Sequence, residues 1–174
     1  MPSPITRPGA VLAASLATLL LTAPGASAAE PPPAKFTNQQ SKLCIRLQDN
    51  QLISDCYGTS REMTWTLVAP HLAPVEYRYM RSRFNSGCPW VDGTTITLTP
   101  CTDGTQQVWV MVRYEPQAPP AGMAGLRLQS LNTRKCLDTD AARDWAIVPN
   151  TCSNFSTSQQ WNIPLDAFNA IFTE

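Results

Sequence analysis

A single histidine, His71, is present in the 174 residues, and it stands alone between Pro70 and Pro74. A serine or cysteine nucleophile needs a neighbouring base to activate it, so that chemistry is set aside. Zinc is set aside too. Its ligand pairs usually stand about two to four residues apart, whereas consecutive cysteines here pair off at gaps of 12, 13 and 16. The chain has only eight glycines, and they do not gather into a loop that could cradle phosphate. Neither sign of charge prevails, with 13 basic and 13 acidic residues. A nucleic-acid binder would show a basic stripe, and none is expected. The longest apolar run, Val11 to Leu21, has 11 residues, well short of the ~20 needed to span a bilayer. Composition alone leaves a pair of hydrolytic carboxylates open, but no spacing among the acids points to one. No enzyme, cofactor or metal is expected.

What the chain does have is a repeat. Cys44-Ile45-Arg46-Leu47 is followed by Cys56 and then Trp65; Cys88-Pro89-Trp90-Val91 by Cys101 and then Gln107-Val108-Trp109; Cys136-Leu137-Asp138 by Cys152 and then Gln159-Gln160-Trp161. From second cysteine to tryptophan the steps are nine, eight and nine residues, and the first cysteines are 44 and 48 residues apart. One supersecondary unit of that length cannot bury its apolar face without its neighbours, so three copies should share one core. Six cysteines allow many pairings. The repeat favours one within each unit: Cys44–Cys56, Cys88–Cys101 and Cys136–Cys152.

The first 28 residues read as a signal peptide, with Arg7 ahead of the apolar run and Ala26-Ser27-Ala28 as a small-residue cleavage site. Export and disulfides agree with each other, and a secreted protein is expected. Without Arg7 the balance is 12 basic to 13 acidic residues. Residues 29-35 form a proline-rich leader around Pro31-Pro32-Pro33, extended and stiff. The repeats take up 36-165, as units of about 36-69, 75-115 and 125-165, and 166-174 is a C-terminal tail. Thr94 to Thr99 alternates polar and apolar residues, the period of a strand. Tyr77 to Phe84, where Arg78, Arg81 and Arg83 alternate with apolar residues, reads as a strand with one solvated face. Leu67, Met111 and Ile163 each lie two residues beyond a repeat tryptophan. Each pair shares a strand face, which points the tryptophans into the core. The tail carries Phe168, Ile171 and Phe172, either to dock on the domain or to offer a patch to a partner.

Cys-Leu-Asp opening a unit and Gln-x-Trp closing it resembles the ricin B-type lectin repeat. Both halves of the motif stand in the third unit, the closing half in the second, and Met63-Thr64-Trp65 replaces the closing half in the first. The resemblance covers about 130 residues. It implies an all-β fold, a β-trefoil of three pseudo-symmetric repeats, with twelve short strands in a six-stranded barrel capped by three hairpins. It also implies a carbohydrate-binding, lectin-like function. In that family an aspartate after the first cysteine accepts sugar hydroxyls. An aromatic ring two residues before the second cysteine stacks on the sugar, and a polar group at or before the closing glutamine completes the set.

This chain departs from that pattern. The aspartate position holds Arg46, Trp90 and Asp138, and the stacking position holds Ser54, Thr99 and Asn150. The resemblance therefore places the principal site in the third repeat, on Asp138, Asn150 and Gln159, with Trp145 on the overhanging hairpin as a substitute ring. Asp138 could instead cap a turn beside Thr139 and Asp140, and Gln159 could serve mainly to tie the hairpin to backbone. Trp90 is either a solvent-facing anchor or a core filler. The expected partner is a glycan. The alternative is a separate secreted protein or toxin subunit, as for the eroded trefoil subunits of cytolethal distending toxins, which this chain is similar to in that respect.

Overall fold

A computed structural model describes residues 32–70, 73–102 and 104–172. The signal peptide, residues 29–31 of the leader, His71, Leu72, Asp103 and the last two residues lie outside the described residues.

Among the described residues twelve strands fall into three sets of four. The first set is β1 (Thr37–Asn38), β2 (Ile45–Gln48), β3 (Gln51–Ser54) and β4 (Trp65–Val68). The second is β5 (Tyr77–Ser82), β6 (Gly87–Asp92), β7 (Thr95–Pro100) and β8 (Val108–Arg113). The third is β9 (Met123–Ser130), β10 (Cys136–Asp140), β11 (Ala146–Asn150) and β12 (Trp161–Pro164), and a helix, α1 (Leu165–Phe172), follows it. The outer strands of each set pair antiparallel in the order β1-β12-β9-β8-β5-β4, and the inner two form a hairpin: β2–β3, β6–β7 and β10–β11. This is the β-trefoil that the resemblance implies. Its six-stranded layer differs from the expected barrel at one place. Among the described residues β1 and β4 are not paired as strands, and only the Ala34–Trp65 bridge joins the two edges, through bonds of 2.8 and 2.9 Å. β1 is two residues long, and the segment ahead of it opens with prolines, which lack the N–H a ladder needs.

The three repeat tryptophans fill the centre. Trp65, Trp109 and Trp161 are all buried, as are Leu67, Met111 and Ile163 two residues on. Trp65 Nε1 donates to the Ile45 carbonyl at 3.3 Å and Trp161 Nε1 to that of Leu137 at 3.0 Å. Each acceptor is the residue just after a unit's first cysteine. In the second unit that residue is Pro89, and Trp109 Nε1 is buried with no partner among the described residues. The disulfides pair as the repeat suggests, Cys44–Cys56, Cys88–Cys101 and Cys136–Cys152, each at the base of its own hairpin. In the chain-entropy model such a loop contributes ~3 kcal/mol.

Two features pin the third unit to the rest. A chain of buried amides runs from Gln39 Oε1, which accepts from Asn162 Nδ2 at 2.6 Å, to Asn162 Oδ1, which accepts from Gln160 Nε2 at 3.1 Å. Gln160 then donates to the Gln117 carbonyl at 2.9 Å, so the proline-rich connection after β8 is tied to both β1 and β12.

The second feature is α1, which docks on the domain with Ala167, Phe168 and Ile171 buried. It corrects the reading of β5. Arg78, placed by alternation on a solvated face, is only 3% exposed. Its guanidinium donates to the carbonyls of Val75, Tyr77 (2.8 Å) and Ile171 (2.8 Å), the last in the final turn of α1. A helix that sequence alternation does not announce covers what would otherwise be a solvent-facing arginine.

Candidate functional site

The three residues that follow each unit's opening Cys-x pair have had different fates. In the third unit β10 and β11 are antiparallel, with Asp138 opposite Val148 and Cys136 opposite Asn150. Alternation along the strands puts Asp138 and Asn150 on one face. Asp138 is 6% exposed. Its Oδ2 accepts from Gln159 Nε2 at 3.0 Å and from Asn150 Nδ2 at 3.3 Å. Its Oδ1 is buried with no partner among the described residues. The structure thus brings Asp138, Asn150 and Gln159 together. The turn-capping role belongs to the next acid: Asp140 accepts from Ala142 N at 3.0 Å and from Arg143 Nε at 2.6 Å. That arginine holds the Asp140 carboxyl below its ordinary range.

Gln159 is fully engaged by protein. Its Oε1 accepts from Ser153 N at 2.9 Å, and its Nε2 also donates to the Thr151 carbonyl at 2.8 Å. Gln107 repeats this in the second unit, accepting from Thr102 N at 2.7 Å and donating to the Pro100 carbonyl at 2.9 Å. Both glutamines clamp the backbone on either side of a second cysteine. The remaining amide proton separates the units: in the third it goes to Asp138, in the second to Thr99 Oγ1 at 2.7 Å. Gln159 therefore acts on the site by orienting the carboxylate. Trp145 is half-buried at the hairpin tip with φ 59°. It immediately precedes β11, three residues before Val148, the partner of Asp138, and makes no hydrogen bond to the acid among the described residues.

The first unit is closed by charge. Arg46 Nη1 meets Asp55 Oδ2 at 2.6 Å and its Nε meets Glu62 Oε2 at 3.2 Å. Gly58, at φ 145°, passes so near that an added Cβ would lie 2.5 Å from Glu62 Oε2 and 2.7 Å from Arg46 Nε. Replacing Gly58 with alanine is expected to lower stability by about 1–3 kcal/mol through strain and a disturbed ion pair; a thermal melt beside the parent checks it. The sequence reading overlooked this network. The signal was there: an arginine in the acid's place, with acids at the positions that flank the second cysteine and precede the closing segment.

The second unit presents Trp90 in the acid's place. Trp90 is 38% exposed on β6, which resolves its role in favour of a solvent-facing ring. Sequence reasoning also passed over Phe155, which is 88% exposed on the loop that Gln159 holds. Among the described residues there is no cluster of histidine, cysteine or acidic groups that could hold a metal.

No family model matches the chain, and no curated protein sequence matches it. Solved structures do. The chain is similar to the designed 3-fold symmetric protein ThreeFoil at TM-score 0.60 and 19% identity, over 76% of this chain and 97% of that one. It is similar to the hemolytic lectin CEL-III at TM-score 0.61 and 18% identity, over 77% of this chain and 33% of that one. The Haemophilus ducreyi cytolethal distending toxin superimposes at TM-score 0.60 and 11% identity, over 76% and 82% of the two chains. At these identities the likeness is one of fold.

Proposed function

We propose that the protein is a secreted glycan-binding module whose principal site is the third unit. One observation carries the reading: Asp138 offers a buried, unpaired carboxylate oxygen while two amides hold its other oxygen in place. Leaving such an acceptor unpaired is costly, and a sugar hydroxyl is a donor of the right kind. Access requires displacing a neighbour. Asn150 is exposed and makes the longer of the two bonds to the carboxylate, 3.3 Å against 3.0 Å, so its amide is the group that would swing aside to open Oδ1 to a hydroxyl. Gln159 keeps the carboxylate aimed, and Trp145, half-buried in the turn of the same hairpin, is the ring available to a second sugar. Similarity of fold to lectins such as CEL-III supports this reading. Export is supported by the leader pattern of Met1 to Ala28 and by three disulfides.

The test is calorimetry with the glycan that scores best on an array. Asp138→Ala is expected to weaken binding by roughly tenfold to a hundredfold, with melting curves to show that the variant is folded and Asp138→Asn as the isosteric control. Equal affinity of parent and folded variant would refute the site.

A second reading, attachment to a protein partner, is favoured by the first unit, where the ion pairs of Arg46 occupy the site that a sugar would need. It also fits the resemblance in fold to the cytolethal distending toxin. A parent that binds no glycan on the array moves the conclusion there.

A further inference from the structure

We propose that the second unit holds a saccharide site of exchanged chemistry, in which the Trp90 ring takes the place that the acid takes in the third unit. The inference rests on reading the trefoil units as glycan sites, and deepens it by naming a second one. Trp90 lies on β6 opposite Thr97 of β7, between Pro89 and Val91, both of which turn inward. Its ring borders a hollow of about 320 Å³ shared with Thr99, Pro100, Thr102, Gln106 and Gln107. That volume is at the lower end of the roughly 300–1,000 Å³ typical of small-molecule sites, which suits a single pyranose ring rather than a peptide segment.

The polar groups of the hollow are disposed for a ligand. Thr99 Oγ1 accepts the Gln107 amide proton at 2.7 Å, which leaves its own proton to be donated outward. Gln106 is exposed, and its amide makes no hydrogen bond among the described residues. Gln107 and Thr102 bond to each other at 3.2 Å and to backbone, so they build the wall rather than contact ligand. In the third unit the acid comes from the first hairpin strand and an amide, Asn150, from the second. Here the first strand supplies the apolar platform, and the second, with the segment after it, supplies a hydroxyl and an amide. Among the described residues, no charged side chain lines the hollow. The ligand it fits is a neutral sugar that lays an apolar C–H face on the indole and turns its hydroxyls to Thr99 and Gln106.

The test uses the intact chain, labelled so that each indole N–H gives one NMR signal, and titrated with the methyl pyranosides of glucose, mannose and galactose. The Trp90 signal is identified by its absence in Trp90→Phe. At least one glycoside is expected to shift it, in the parent and in Asp138→Ala alike. Read on the backbone amides of Thr99 and Gln106, Trp90→Ala and Gln106→Ala are expected to weaken that interaction by about tenfold with unchanged melting, while Trp90→Phe, which keeps a ring, loses less. A Trp90 signal that stays still while amides around Asp138 move overturns this inference and leaves the third-unit site standing. Glycosides that move neither set overturn both.

Discussion

Replacing Trp161 with alanine is expected to lower the free energy of unfolding by ~3–5 kcal/mol, a large share of the roughly 5–15 kcal/mol that holds a domain together. Trp161 is wholly buried, and its indole N–H is bonded to the Leu137 carbonyl at 3.0 Å. Alanine removes the packing of the ring and leaves that carbonyl without its donor. It also sits at the junction where β12 pairs with both β1 and β9, with Trp161 opposite Asn38 and Leu126. Urea denaturation measures the loss, and Trp161→Phe, which keeps an aromatic ring, should fall between the two. A mutant that unfolds at the parent's midpoint would place the ring in solvent, against the geometry described above.

The second large effect is expected at Arg78. Hydrogen bonds from a charged donor are worth about 1.5–3 kcal/mol each, and Arg78 donates to three carbonyls. Arg78→Ala is expected to cost about 2–4 kcal/mol, and the loss should begin locally. Ile171 lies in the last turn of α1, where the carbonyls carry the negative end of the helix dipole. Without the guanidinium the helix loses its C-terminal anchor, though Phe168 still has the Arg113 guanidinium 5.8 Å from its ring. Hydrogen exchange should show the amides of α1 losing protection before those of β9 and β12. Uniform loss across the domain would mean that the arginine serves the core and not the helix.

The trefoil was legible because it is written three times. A cysteine pair and a tryptophan at near-constant spacing define a unit, and the alternation of Thr94 to Thr99 marks β7 within one residue of its observed limits. The helix was not legible, although Phe168, Ile171 and Phe172 have helical spacing. Eight residues are too few to hold a helix in isolation, where about 12–15 are marginal. α1 exists because its apolar side finds the domain, and that contact is absent from any local pattern. The burial of Arg78 depends on the same contact.

At the site, Asp138, Asn150 and Gln159 were legible as a group because each falls at a fixed offset from a cysteine or tryptophan. The division of labour among them was not. That Gln159 spends both amide protons on protein, and that one oxygen of Asp138 is left over, are results of three-dimensional bookkeeping. The first unit was legible in part, since an arginine in the acid's position announces a departure from the pattern of the third unit. What it does instead depends on Asp55 and Glu62 closing round it.

The way the disulfides are distributed bears on how the oxidised protein is made. Their spans are 12, 13 and 16 residues, none encloses another, and none links two units. Each can therefore close as soon as its own hairpin has been synthesised, before the next pair of cysteines exists. A chain oxidised in that order meets its partners one pair at a time and needs no reshuffling, a step that otherwise takes seconds to hours. Reduced protein renatured all at once offers every cysteine to every other. Its recovery should lean on an isomerase, whereas vectorial synthesis should not.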